Sequence, residues 1–92
     1  MSDNKIIVTV SGVDKIGIVA EVTAMMAKHE VNIEDIKQTL MQGHFVMFML
    51  CNIEKSKYSF KEIKEAFSKL GEKMGMEIWV QKKEIVDNMH KI

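Results

Sequence analysis

Between Ser11 and Val19 the spacing of apolar residues changes from every second position to every third or fourth. Before that stretch, Lys5 to Ser11 alternates, with Ile6, Val8 and Val10 on one side, which is the pattern of a half-buried strand. After it, Ile18, Val22, Met25 and Met26 recur at helical spacing as far as Lys28, with Glu21 and Lys28 on the wet side. A strand must therefore hand over to a helix within a few residues. Gly12 predicts a sharp exit from the strand, and Asp14 predicts the N-cap of a helix opening near Lys15. Gly17 leaves the first turn without a β-carbon, so a guest could approach the backbone closely there. The first amides of a helix lack internal partners and carry the positive end of its dipole, which favours a carboxylate or phosphate. A plain helix cap with a packing glycine accounts for the same residues, and the corner alone does not choose between the two.

The rest of the chain continues the switching of period. Val31 to Met41 reads as a second strand whose phase slips, since Val31 and Ile33 share one parity while Ile36, Gln38 and Leu40 share the other. A bulge near Glu34-Asp35 reconciles them. Gln42-Gly43-His44 predicts a tight turn, followed by a third strand, Phe45 to Ile53, that is apolar on both sides. Ser59 and Glu62 have the spacing of a capping box, and Tyr58 can staple onto Ile63. Phe60, Ile63, Phe67, Leu70 and Met74 follow at helical spacing, Glu65 and Lys69 can pair on the wet face, and Gly75 predicts the stop. Met76 to Lys83 is the fourth strand, with Met76, Ile78 and Val80 inward and Trp79 outward. Domain residues 5–83 are followed by an amphipathic extension, 84–92, carrying Ile85, Val86, Met89 and Ile92 on one stripe. A helix so short must dock to persist.

The order β-α-β-β-α-β defines an α+β class. Right-handed crossovers make it a ferredoxin-like plait, an antiparallel four-stranded sheet with two helices on one face. The other face, with Trp79 and part of the third strand, would be a large apolar patch for a monomer. A homodimer contact through this face or an edge, including Trp79, is therefore expected, or else a docked tail.

Composition removes several functions. The 13 basic residues are all lysine, 13 acidic residues balance them, and the formal charge is zero. Such a chain has no general attraction for nucleic acid or an anionic membrane. Phe45-Val46-Met47-Phe48 echoes half of an RNA-recognition signature, but Met41-Gln42-Gly43-His44 lacks its basic residue and stacking aromatic. Acylphosphatase-like chemistry needs a guanidinium, and there is no arginine. Cys51 stands alone in an apolar run, as a core residue would. His29, His44 and His90 have no ligand spacing, and His29 fits a helix C-terminus. Asp14 with Lys15, and the Glu34-Asp35 pair, have no nucleophile or metal beside them. No catalytic residue, metal or cofactor is expected. Without a signal segment, lipidation motif or membrane-length apolar run, a cytoplasmic location is expected.

The strand, the corner Gly12-Val13-Asp14-Lys15-Ile16-Gly17-Ile18-Val19, the apolar helix and then Val31-Asn32-Ile33 resemble an ACT domain. The resemblance runs from Lys5 through Lys83, and is strongest to the short stand-alone ACT proteins and to the halves of the glycine cleavage system repressor. ACT domains commonly carry Asp-Arg-Pro-Gly-Leu at this corner, so Lys15 stands for arginine and Ile16 for proline. The resemblance implies a non-catalytic regulatory protein that binds a small ligand, an amino acid or related metabolite, between paired domains and regulates a partner enzyme or regulator. It places the ligand at Asp14, Lys15, Gly17, Ile18, Val19, Asn32 and Ile33. An interaction or dimerisation module without a small-molecule ligand is the competing class.

Overall fold

The alternating and helical stretches fold into β1 (Lys5–Val13), α1 (Ile18–Lys28), β2 (Asn32–Met41), β3 (His44–Asn52), α2 (Phe60–Met74), β4 (Glu77–Lys82) and α3 (Lys83–Met89). The computed structural model describes residues 4–89. The strands form one antiparallel sheet in the order β2-β3-β1-β4, the ferredoxin-like arrangement. Alternation in β1 sends Ile6, Val8 and Val10 to one side, where Met47, Met49 and Cys51 of β3 join them. Ile18, Val22 and Met26 of α1 and Ile63, Phe67 and Leu70 of α2 close this single core. None of the described helices is long and apolar enough to cross a membrane.

Local chemistry sets the joins. In β2, Ile33 pairs with Cys51 and Asp35 with Leu50, so Glu34 is the extra residue of a bulge. The slip brings Ile33 and Ile36 to the same side of the sheet, as the change of parity requires. The Glu34 carboxylate accepts from the Lys5 ammonium and from Asn52 Nδ2, and these bonds hold its pKa below the ordinary value. The pair therefore favours the fold at neutral pH and loses its effect as pH falls through that lowered pKa. Gln42 and Gly43, both at positive φ (51° and 83°), make a two-residue hairpin turn whose twist suits the strands. The Ser59 hydroxyl accepts from the Glu62 amide (3.1 Å) and the Ser59 amide donates to the Glu62 carboxylate (2.8 Å), which completes the capping box.

Several details differ from the expectations. β1 runs on through Gly12 to Val13, so Gly12 is not a sharp exit. A β-carbon there would lie 2.7 Å from Met76 Sδ, so the glycine lets the Met76 side chain pack close against β1. Met76 is buried but precedes β4. Among the described residues the ion pairs are Lys5–Glu34 and Lys83–Asp87, and Glu65 does not pair with Lys69. α3 touches β1 and β4 and leaves Ile85 exposed, while Ile92 of the expected stripe lies outside the described residues.

The capping box is an isolated, exposed device, so Ser59→Ala should lower stability by about 1 kcal/mol. Thermal unfolding followed by circular dichroism should show a melting temperature lower by about 4–8 °C.

Candidate functional site

The β1–α1 corner differs from the expected cap in a way that leaves it more open. Asp14 is not the N-cap. The helix begins three residues later, its N-cap is Gly17 at φ 91°, and no side chain accepts from its first-turn amides. Gly17 is needed for its left-handed backbone, which costs a residue with a β-carbon about 1 kcal/mol or more. The space beside it is open as well, with no described atom beyond its chain neighbours within 4 Å of where a β-carbon would sit. The Gly17 carbonyl accepts from Glu21 N at 2.9 Å and starts the helical ladder. The amides of Ile18, Val19 and Ala20 precede that bond and have no helical acceptor.

Two bonds hold the corner in place. The Asp14 amide donates to the Gly43 carbonyl at 2.9 Å, which ties the corner to the β2–β3 turn and leaves the exposed carboxylate free of that contact. The Lys15 ammonium donates to the Met74 carbonyl at 2.5 Å, at the end of α2. A cation at a helix C-terminus is favourable. Lys15, named with the ligand residues by resemblance, thus serves as a strut between α2 and the corner. Val13, Ile16 and Val19 are exposed around it, Ile16 completely so at 104%.

Within one chain the expected residues fall into two groups. Asp14, Gly17, Ile18 and Val19 are together at the corner, with Ile18 buried beneath it. Asn32 and Ile33 are at the other end of the sheet, where Asn32 pairs with Asn52 and Asn52 with Lys5. The length of β2 separates them from the corner, about 30 Å for ten residues. Asn32 lines a cavity of about 410 Å³ with Glu30, Val31, Asn52, Glu54 and Lys55. Sequence reading missed that the exposed Met41 and Leu40, at the far end of β2, are the β2 residues nearest the corner. Their signal was the pairing of Met41 with His44 and His44 with Val13, which only the register supplies.

The remaining reactive groups are placed structurally. The Cys51 thiol is buried, and burial, with a lesser push from the Glu34 charge, raises its pKa to about 12. It is a protonated core residue at neutral pH. His29 is the C-cap of α1, with Nδ1 on the Met25 carbonyl at 3.0 Å and its ring 4.7 Å from that of Tyr58. His44 lies 3.0 Å from Ser11 Oγ on the opposite face of the sheet. His90 lies outside the described residues.

A four-stranded antiparallel plait in the order β2-β3-β1-β4, with α1 and α2 closing its core, defines the ferredoxin-like class. Comparison with known proteins makes it specific: the ACT domain family model matches residues 4–81, and the chain belongs to that family. It is 47% identical over 87 residues to a UPF0237 protein of Methanococcus maripaludis, covering 95% of this chain and 97% of that one. An ACT domain protein from Streptococcus pneumoniae superposes with a TM-score of 0.78 at 32% identity, covering 96% of each chain. The regulatory subunit of aspartate kinase from Thermus thermophilus shares the fold at a TM-score of 0.66 and 20% identity, over 86% of this chain and 51% of that one.

Gly17→Ala separates the two explanations of this glycine. Space exists for the methyl group, but the left-handed φ does not suit it. Denaturant unfolding should show a loss of about 1 kcal/mol with an unchanged slope.

Proposed function

We propose that the protein is a non-catalytic regulatory module that binds a free amino acid at the β1–α1 corner, in a pocket completed by a second copy of the chain, and passes its occupancy to a partner enzyme or regulator. The observation that carries this reading is the α1 N-terminus, where Gly17 leaves open space and no side chain accepts from the first amides. A ligand carboxylate would accept from the Ile18 and Val19 amides, and its ammonium would meet the exposed Asp14 carboxylate. Membership of the ACT family supports a regulatory role.

The second copy follows from the separation of the two residue groups. β2 is an edge strand, and Ile36 and Leu40 on its helix side are exposed, as is Val19 of α1. Pairing β2 antiparallel with the partner's β2 would cover these side chains and satisfy the free edge. The same pairing sets the start of one β2 opposite the end of the other, so the partner's Asn32 and Ile33 arrive at the corner. Asn32 would then supply a polar contact and Ile33 an apolar wall beside Val19. The exposed apolar belt also suits pairing without any ligand, so the test must read binding itself.

A thermal-shift screen of the common amino acids should give a hit that raises the melting temperature by several degrees. Ligand at 100 times its dissociation constant adds roughly 2.7 kcal/mol. Asn32→Ala removes an exposed side chain, so it should leave unliganded melting unchanged and weaken the hit at least about tenfold. No shift with any amino acid would contradict the ligand, and an unchanged affinity in Asn32→Ala would remove the shared pocket.

A further inference from the structure

The face of the sheet away from α1 and α2 has the anatomy of an interface, and its pattern fits one occupant. The Cα envelope is 37 × 35 × 19 Å, the depth of one sheet and one helix layer. Across the open face, register aligns Lys37, Phe48, Thr9 and Trp79 in one row, from the β2 edge to the β4 edge. Phe48 is 50% exposed and Trp79 56%, whereas Thr9 between them is buried. Beside Phe48 lies a hollow of about 120 Å³ lined by Ile7, Asp35, Lys37, Phe48, Met49 and Leu50. Glu77 and Gln81 rim the patch at one edge, Asp35 and Lys37 at the other. An apolar centre with a polar rim is how protein interfaces are built.

We infer that this face stacks on the same face of a second copy, about a two-fold axis parallel to the strands, with each Trp79 seated in the other chain's hollow. Such an axis keeps every row opposite itself and reverses its order, so the partner's β4 lies over β2 and its β1 over β3. The Trp79 indole then falls between Phe48 and Lys37 of the other chain, where the ammonium can lie against the ring. Each Phe48 falls on the partner's Thr9, the low point of the row. Lys37 and Glu77, of opposite sign at opposite edges, come onto the same side of the contact. A two-fold axis across the strands would instead put β4 on β4 and leave both hollows empty. Stacked sheets lie about 10 Å apart, which suits side chains meeting from both faces. This contact is separate from the β2 edge and does not depend on an amino acid being bound.

Trp79 is the single tryptophan, so its emission reports on this face alone. The full chain is examined by sedimentation and by acrylamide quenching of tryptophan over a dilution series. Association should shift the emission to the blue and protect the indole from quenching several-fold. Phe48→Glu, at a half-exposed position, should keep the circular dichroism spectrum, halve the sedimenting mass and restore full quenching. Trp79→Ala, read by mass alone, should do the same should Phe48→Glu fold poorly. An indole as open to quenching at every concentration as in Phe48→Glu overturns the inference, even with a dimeric mass, because pairing through the β2 edge alone leaves Trp79 open. Protection that persists when the mass is that of one chain overturns it too, since the chain would then be covering its own face.

Discussion

Gly17 stands at φ 91°, and the junction between the first strand and the first helix depends on that one left-handed residue. Left-handed backbone is cheap only for glycine. It turns the chain so that α1 begins at Ile18, buried in the core, rather than at an acidic side chain that would cap it. The helix therefore starts with first-turn amides that no side chain caps. The Asp14 amide on the Gly43 carbonyl and the Lys15 ammonium on the Met74 carbonyl hold this opening from both sides. A stronger cap would stabilise the helix and close the same amides to any guest.

A plait of this size satisfies one face of its sheet and leaves the other boundaries unfinished. Both edge strands, β2 and β4, retain backbone groups without partners in the sheet, and Phe48 and Trp79 stand out from the uncovered face. In a 92-residue chain, surface of this kind is where association adds burial that the monomer lacks. Edge pairing and face stacking use different surfaces, so the two proposed contacts are geometrically compatible. Only edge pairing reaches the corner.

What could be read from the sequence divides along physical lines. Devices that close within a few residues were legible: the capping box at Ser59 and Glu62, the hairpin at Gln42-Gly43, and the bulge at Glu34 betrayed by a change of parity. The outward Trp79 and the buried Cys51 followed from alternation and from an apolar run. What failed depended on distant partners or on backbone angles. Asp14 has the chemistry of a cap, but Gly17 three residues on supplies a better place to start the helix. Gly12 looked like a corner because its constraint, Met76, is more than sixty residues away in the chain. The Met74 carbonyl that Lys15 meets is 59 residues away in the chain, so this bond left no local signal. The placing of Asn32 far from the corner needed the strand register, which apolar patterning does not specify between strands.

The most direct measurement of the central claim is a backbone amide NMR titration with the amino acid that stabilises the protein most. The amides of Ile18, Val19 and Ala20 should move downfield furthest, with Asn32 and Ile33 shifting over the same ligand concentrations although they lie at the other end of the same chain. Shifts confined to other surfaces, with those three amides unmoved at saturation, would contradict a ligand held on the open end of α1.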